Sequence, residues 1–204
     1  MDRRTLLGGS IAALGLAACA QDAPAQTTPA PAAAAPDPEN TLILEIPSGR
    51  VTIQMLPDLA PNHVARIKTL TRQGFYDNTP FHRVIDGFMA QGGDPTGTGT
   101  GGSPLPNLRA EFSPPSRARF LRGTVGMART ADPNSANSQF FIMFAPNQSL
   151  DGQYTIWGRV VSGMEAVDKI KRGTGGNGIV QGPDRLVKAR VAADAPPATD
   201  AATG

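Results

Sequence analysis

The most informative stretch of the sequence reads Phe81-His82-Arg83-Val84-Ile85-Asp86-Gly87-Phe88-Met89-Ala90-Gln91-Gly92-Gly93-Asp94. Two short segments that begin with phenylalanine, residues 81–84 and 88–91, lie on either side of an Asp-Gly pair, and this pattern predicts two strands joined by a turn. The stretch combines an arginine and a glutamine with a surplus of large apolar side chains. We find no Ser-His-Asp set, paired acids or activated nucleophile, which argues against hydrolysis.

A second stretch, Ser138-Gln139-Phe140-Phe141-Ile142, has the composition of a buried strand. Side chains alternate between the two faces of a strand, so Gln139 and Phe141 share one face and Phe140 and Ile142 the other. One face is therefore expected to serve the core. The other face presents an aromatic ring and an amide.

Short strands and two helices account for the rest of the chain between residues 41 and 191. Further strands are predicted at residues 41–46, 51–55, 123–128, 139–143, 154–160 and 186–191. A helix is predicted at residues 60–72, with Pro61 in its first turn and Gly74 just past its end. A second helix at residues 163–172 places Met164, Val167 and Ile170 on one side. We therefore expect a mainly β fold, a closed eight-stranded antiparallel β-barrel capped by two α-helices.

Composition excludes several classes of function. The formal net charge is only +2, and no basic run interleaves with aromatic residues, so a nucleic-acid partner is not expected. With one cysteine, the chain cannot form an internal disulfide or a cysteine-based zinc site. Two histidines, His63 and His82, are too few to indicate a metal centre and are assigned to packing or hydrogen bonding.

The amino terminus has the pattern of an export signal. Residues 1–18 combine Arg3-Arg4, an apolar stretch and small residues, which predicts a cleaved signal peptide. The alternative is a retained anchor helix, but the apolar stretch is shorter than the ~20 residues that span a bilayer. Asp2-Arg3-Arg4-Thr5-Leu6-Leu7 resembles a twin-arginine motif, and export by that route or by the general route remains open.

The signal ends in Leu16-Ala17-Ala18-Cys19, which resembles the bacterial lipobox. The alternative is an ordinary Ala-x-Ala cleavage site with a chance cysteine. Because Cys19 is the only cysteine, we expect lipidation there, a membrane as partner, and a location in the periplasm or cell envelope. Residues 19–40 are predicted to be a disordered Ala/Pro-rich linker and residues 192–204 a disordered tail, leaving one domain at residues 41–191.

The run Gly97-Thr98-Gly99-Thr100-Gly101-Gly102 matches G-x-G-x-x-G. In a dinucleotide site these glycines follow a strand and open a helix. Here Pro95 precedes the run, and Pro104 and Pro106 follow it, so no regular helix can begin there. A long flexible loop is the better interpretation, and a nucleotide-binding function would rest on this run alone.

The first two stretches resemble the cyclophilin signature F-H-R-x-I-x-G-F-M-x-Q-G-G-D and its partner S-Q-F-F-I. The resemblance extends from Leu42 to about Val191 and implies a monomeric peptidyl-prolyl cis-trans isomerase that needs no metal or cofactor. Its implied substrates are unfolded, exported or otherwise proline-containing polypeptides. The catalytic residues that the resemblance implies are Arg83, Gln91 and Gln139. The implied proline pocket comprises Phe88, Met89, Phe141 and Leu150, and the implied peptide-binding rim comprises Ala128, Arg129 and Tyr154.

Two rim positions depart from the family pattern. Ser149 stands where the family often has Trp or Phe, and Tyr154 where it often has His. The first change removes an indole donor and apolar area, so cyclosporin is expected to bind poorly. Both changes leave room for an alternative function, a non-catalytic module or chaperone that holds proline-containing segments at the cell envelope.

Overall fold

The computed structural model describes residues 37–194. Cys19, the predicted signal peptide, most of the predicted linker and residues 195–204 lie outside the described part. The two α-helices are α1 (Pro61–Arg72) and α2 (Met164–Val167). The ten strands are β1 (Thr41–Ile46), β2 (Gly49–Met55), β3 (Thr79–Pro80), β4 (Arg83–Ile85), β5 (Met89–Gly92), β6 (Thr124–Met127), β7 (Phe140–Met143), β8 (Ile156–Ser162), β9 (Arg185–Leu186) and β10 (Lys188–Val191).

Eight strands form one antiparallel sheet in the order β10-β1-β2-β8-β6-β7-β5-β4, and β3 pairs with β9 in a separate two-stranded sheet. The predicted mainly β, eight-stranded antiparallel architecture with two helices is therefore confirmed. The predicted closure into a barrel is not, because β10 and β4 remain at the two edges of the hydrogen-bonded order. No helix within residues 37–194 is long and apolar enough to cross a membrane.

The second helix is shorter than the predicted span of residues 163–172. After Val167 the backbone continues in tighter turns, with Ile170 N–H donating to the Val167 carbonyl at 3.1 Å. The apolar face was nevertheless predicted correctly, since Val167 and Ile170 are buried and Met164 packs against the same core. The predicted last strand is also interrupted, because exposed Val187 separates β9 from β10.

The folded domain extends slightly beyond residues 41–191 at both ends. Pro38–Asn40 and Ala192–Asp194 each form a 3-10 turn, although both fall in segments predicted to be disordered. Arg72 at the end of α1 binds both turns: its Nη2 donates to Glu39 at 2.9 Å and its Nε to Asp194 at 2.8 Å.

The main core lies between the large sheet and α1. Val64, Ile67 and Leu70 of α1 are buried, and each such side chain stabilises the fold by about 1.5–3 kcal/mol. Trp157 is fully buried in this core and packs edge-to-face against Phe140. A second apolar cluster forms around β5, β7 and the start of β8, and this one reaches the surface.

Candidate active site

Arg83 and Gln91 are brought together by the β4–β5 hairpin. The turn contains Gly87 at φ +66, a left-handed conformation that glycine adopts without strain. The two residues are direct partners in the strand register, and Arg83 Nη1 donates to Gln91 Oε1 at 3.2 Å. Arg83 Nε donates to the backbone carbonyl of Asn177 at 2.9 Å, so the guanidinium is held from two sides.

Gln139 extends this polar row, because it lies just before β7, the next strand beside β5. Gln91 Nε2 donates to Gln139 Oε1 at 2.9 Å. The structure thus joins the three predicted catalytic residues in one row of hydrogen bonds, which we call the Arg-Gln-Gln row (Arg83, Gln91 and Gln139).

An apolar wall adjoins the row. All four residues of the predicted proline pocket belong to the second apolar cluster, with Met89 2% and Phe141 5% exposed and Phe88 and Leu150 partly buried. Phe120 stacks on Phe141 with ring centroids 5.6 Å apart. We call these five residues the apolar wall: Phe88, Met89, Phe120, Phe141 and Leu150.

A missing side chain makes this stacking possible. A Cβ on Gly126 of β6 would lie 2.6 Å from the Phe141 ring and 2.7 Å from the Phe120 ring. Real Cβ atoms do not approach other atoms this closely, so only glycine at this position leaves room for both rings to stack within the apolar wall.

The predicted rim residues lie at one end of the wall. The Tyr154 ring meets Phe141 edge-on at 5.7 Å, and the Arg129 guanidinium lies 4.4 Å from the centre of the Tyr154 ring. Arg129 Nη2 also donates to the Gln153 carbonyl at 2.8 Å. The Ala128 N–H donates to the Gln139 carbonyl at 2.9 Å, so this backbone donor is already used within the domain.

The glycine run forms a loop, as predicted, and no helix follows it before β6. This segment, the glycine loop (residues 95–102), lies directly beside the Arg-Gln-Gln row. Gln139 Nε2 donates to the Gly99 carbonyl at 3.0 Å and to the Gly101 carbonyl at 2.8 Å. Between the glycine loop and residues 128–130 lies a surface cleft of about 490 Å³.

Sequence reasoning missed two residues of the site. Phe120 lies between β5 and β6 in a segment rich in arginine and proline, where it is one of two aromatic residues, with Phe112 as the other. Asn177 contributes only a backbone carbonyl, for which the sequence carries no signal. Within residues 37–194 no group of three or more His, Cys, Asp or Glu side chains is arranged to hold a metal ion.

The described part of the chain is thus a mainly antiparallel β domain whose sheet carries an arginine fixed by two hydrogen bonds beside an apolar wall. The family described as "Cyclophilin type peptidyl-prolyl cis-trans isomerase/CLD" matches residues 41–191. The chain belongs to the cyclophilin family and is a peptidyl-prolyl cis-trans isomerase.

Individual relatives agree with this assignment. The "Probable peptidyl-prolyl cis-trans isomerase" of Brucella suis biovar 1 is 55% identical over 174 residues, covering 79% of this chain and 87% of the relative. The "Peptidyl-prolyl cis-trans isomerase-like 1" of Gibberella zeae is 41% identical over 154 residues, covering 74% of this chain and 93% of the relative.

Solved structures show the same fold. Cyclophilin AquaCyp293 from Hirschia baltica superposes with a TM-score of 0.68 at 32% identity, covering 79% of this chain and 77% of that one. A Cryptosporidium parvum cyclophilin type peptidyl-prolyl cis-trans isomerase, solved in the presence of the dipeptide Ala-Pro, also gives 0.68 at 27% identity. The match covers 74% of this chain and 98% of the Cryptosporidium chain.

Proposed function

We propose that this isomerase accelerates rotation about X-Pro bonds in unfolded or exported polypeptides, with Arg83 as its catalytic group. One observation carries the proposal: the Arg83 guanidinium is fixed by Gln91 and by the Asn177 carbonyl beside the apolar wall. Within residues 37–194 its Nη2 group donates to no protein acceptor, which leaves charged donors available to a substrate.

The chemistry follows from the nature of the amide bond. Resonance gives the bond partial double-bond character and a rotational barrier of ~18–20 kcal/mol. As the bond twists, conjugation is lost and a lone pair develops on the prolyl nitrogen. A donor that binds this lone pair stabilises the twisted state more than the planar one, and this differential binding accelerates rotation. Arginine suits the role because it remains charged and presents its donors in a rigid plane.

The apolar wall supplies the seat for the proline ring. Met89 and Phe141 form a nearly buried floor beside the partly buried Phe88 and Leu150, so a proline ring placed there exchanges water for apolar contact. A related cyclophilin from Cryptosporidium was solved in the presence of the dipeptide Ala-Pro. This supports our proposal that an Ala-Pro segment binds at the apolar wall of the present protein. A site that recognises only the proline ring places no constraint on the identity of the neighbouring residues. We therefore propose that the protein acts on a broad range of unfolded polypeptides.

Holding proline-containing segments without turnover is the second candidate function. The rim favours it, because Ser149 is exposed and contributes little apolar area, while Tyr154 is covered by the Arg129 guanidinium at 4.4 Å. The same groove would then bind peptide, and Arg83 would contribute affinity rather than rate.

Isomerisation of an Ala-Pro peptide by the full chain, with Arg83→Ala beside it, separates the two functions. Catalysis predicts a parent rate well above the uncatalysed rate and a fall of about 10²–10³-fold in Arg83→Ala, as for the loss of one preorganised donor. A parent rate equal to the uncatalysed rate contradicts catalysis. Peptide binding that survives Arg83→Ala, with no turnover in the parent, leaves only the holding function.

We also propose that the protein is exported and held at a membrane of the cell envelope through lipid on Cys19. The lipobox-like residues and the single cysteine support this. The full chain and Cys19→Ser are compared by membrane fractionation and by mass spectrometry of the mature amino terminus. We expect lipid and membrane retention only with the parent, and equal retention of both would disprove the anchor.

A further inference from the structure

Asp94 lies two residues after the end of β5 and is fully buried at the base of the glycine loop. Its Oδ1 accepts from the backbone and hydroxyl of Thr96, both at 2.8 Å. Its Oδ2 accepts from Gly99 N–H at 2.7 Å and from Gly101 N–H at 3.1 Å. Burial alone raises the pKa of this carboxyl, but the hydrogen bonds from the loop outweigh burial and hold its pKa below the usual range. A buried carboxylate with four donors is a fixed anchor for the loop.

The glycines of the loop are required by this arrangement. A Cβ on Gly101 would overlap the Asp94 carboxylate, and Gly99 has φ +86, where a side chain is strained. Thr96 gives its hydroxyl proton to Asp94, so Thr98 must donate to Thr96, and Thr100 in turn to Thr98, each at 2.8 Å. The backbone of the G-x-G segment therefore folds around the Asp94 carboxylate, whereas in a dinucleotide site it would fold around a phosphate.

The loop also determines which way the site amides point. The Gly99 and Gly101 carbonyls can only accept hydrogen bonds, so Gln139 must direct its Nε2 towards them. The Oε1 of Gln139 then faces Gln91 and can only accept, so Gln91 must donate from its Nε2, at 2.9 Å. The Gln91 Oε1 is consequently left for Arg83.

We propose that Asp94 is a positioning residue for catalysis, which acts through the glycine loop to fix the polarity of the Arg-Gln-Gln row. If the loop carbonyls moved away, Gln139 and then Gln91 could reverse. The Gln91 NH₂ would then face the Arg83 guanidinium. Since both groups are hydrogen-bond donors, the bond between them would be lost and the guanidinium would move. This inference rests on the proposed catalytic role of Arg83.

Asp94→Asn in the full chain tests the proposal, because an asparagine NH₂ would confront N–H donors of the loop. We expect kcat for an Ala-Pro peptide to fall about tenfold, the equivalent of one lost hydrogen bond, with KM within about twofold. The NMR signals of the Gln139 side-chain NH₂ and the Arg83 Nε–H should shift. Asp132→Asn is the matched control, since within residues 37–194 the carboxylate of exposed Asp132 accepts only from Asn134 N–H of its own loop, at 2.9 Å. An unchanged kcat and unmoved signals in Asp94→Asn would overturn the proposal.

A double-mutant cycle removes the ambiguity of a general folding defect. Once Gln139 is replaced by alanine, Asp94→Asn should cost no further activity, because its route to Arg83 is already cut. If the losses of kcat in the two single variants add in the double variant, Asp94 does not act through Gln139, and the proposal is rejected. If Asp94→Asn does not fold, Gly101→Ala takes its place in the cycle. A parent without turnover would refute the catalytic role of Arg83, whereas the NMR signals would still report whether Asp94 orients the amides.

Discussion

Arg83 donates its Nε–H to the backbone carbonyl of Asn177 at 2.9 Å, a contact between residues 94 positions apart in the sequence. The loop that carries Asn177 is itself attached to β4, since Val84 N–H donates to the Gly178 carbonyl at 2.7 Å. Gln91 holds the opposite side of the same guanidinium. The plane of the guanidinium is therefore set before any substrate arrives, which is the condition for preorganised catalysis.

Arg83→Lys tests whether that plane matters or the positive charge alone suffices. The three donors of an ammonium group share one nitrogen and cannot reproduce the separate, coplanar Nε, Nη1 and Nη2 positions, so kcat/KM for an Ala-Pro peptide should fall about a hundredfold. Thermal unfolding should change little, because Arg83 is only partly buried. Arg117→Lys, at an exposed arginine that donates to the Asp58 carbonyl, is the control. Activity near that of the parent in Arg83→Lys would show that charge is sufficient.

The loop that holds Arg83 can be displaced at one glycine. Gly178 has φ +71, and a Cβ there would overlap the Ile85 side chain and lie 3.0 Å from the Val84 carbonyl. Gly178→Ala should therefore move the Asn177 carbonyl, lower kcat about tenfold and cost about 1–3 kcal/mol of unfolding free energy. Gly176→Ala is the matched control, because a Cβ there meets nothing within 4 Å. Equal kcat values for the two variants, from peptide isomerisation, would contradict a role for this loop.

Local patterns were sufficient to predict most of the fold. Alternation and turn residues located the β4–β5 hairpin, and the resemblance to a known family then identified the residues of the Arg-Gln-Gln row. Elements whose limits depend on distant neighbours were less predictable. The apolar face at Met164, Val167 and Ile170 predicted a helix to residue 172, but the backbone tightens after Val167 while the same side chains still reach the core.

The rest of the site depends on contacts between distant segments. Asn177 contributes a carbonyl that any residue possesses, so composition could not identify it. The glycine loop was recognised as a loop, but its attachment to Gln139 depends on the hydrogen bonds that the loop donates to the buried Asp94 carboxylate. Phe120 reaches the apolar wall only because Gly126 leaves space for its ring, and that space exists only once β6 and β7 have paired.

Acid should destabilise the protein through His63 and Glu111. His63 Nδ1 donates to Glu111 Oε2 at 2.6 Å, and the fully buried Nε2 has no partner within residues 37–194. Burial lowers the pKa of His63, with the Glu111 bond opposing it only in part. Burial alone raises the pKa of Glu111, but hydrogen bonds from His63 and Asn62 outweigh it and keep that pKa low.

The two shifts act in the same direction. As pH falls below about 6.5, the unfolded chain protonates its histidine before the folded protein does, so the folded state loses relative stability. In the unfolded chain the pKa of Glu111 is ~4.3, and above this pH the Glu111 carboxylate stabilises the folded protein. That stabilisation is lost as the pH falls through the lower pKa that Glu111 has in the folded state. Unfolding free energies from urea titration should therefore decline from pH 7.5 to pH 4 and further below.

Glu111→Gln separates the carboxylate from the histidine. It should cost about 1–3 kcal/mol at pH 7.5, where a charged acceptor is lost from the first turn of α1, and should make the decline below pH 5 shallower. Asp86→Asn, at a carboxylate that is 83% exposed, should leave the whole profile unchanged. A parent stability that does not vary between pH 7.5 and pH 4 would contradict the assigned shifts.

Ser149→Trp tests whether the altered rim governs peptide affinity. Ser149 is exposed and adjoins Leu150 of the apolar wall, and its hydroxyl donates only to Asn147 at 2.7 Å. An indole there would add roughly 50 Å² of apolar contact, about 1 kcal/mol, so KM for an Ala-Pro peptide should fall about fivefold. The kcat should stay within about twofold of the parent value, because position 149 has no bond to the Arg-Gln-Gln row and so adds uniform binding. Ser149→Ala separates the lost hydroxyl from the added ring, and a change in kcat without a change in KM would show that the rim acts on rotation itself.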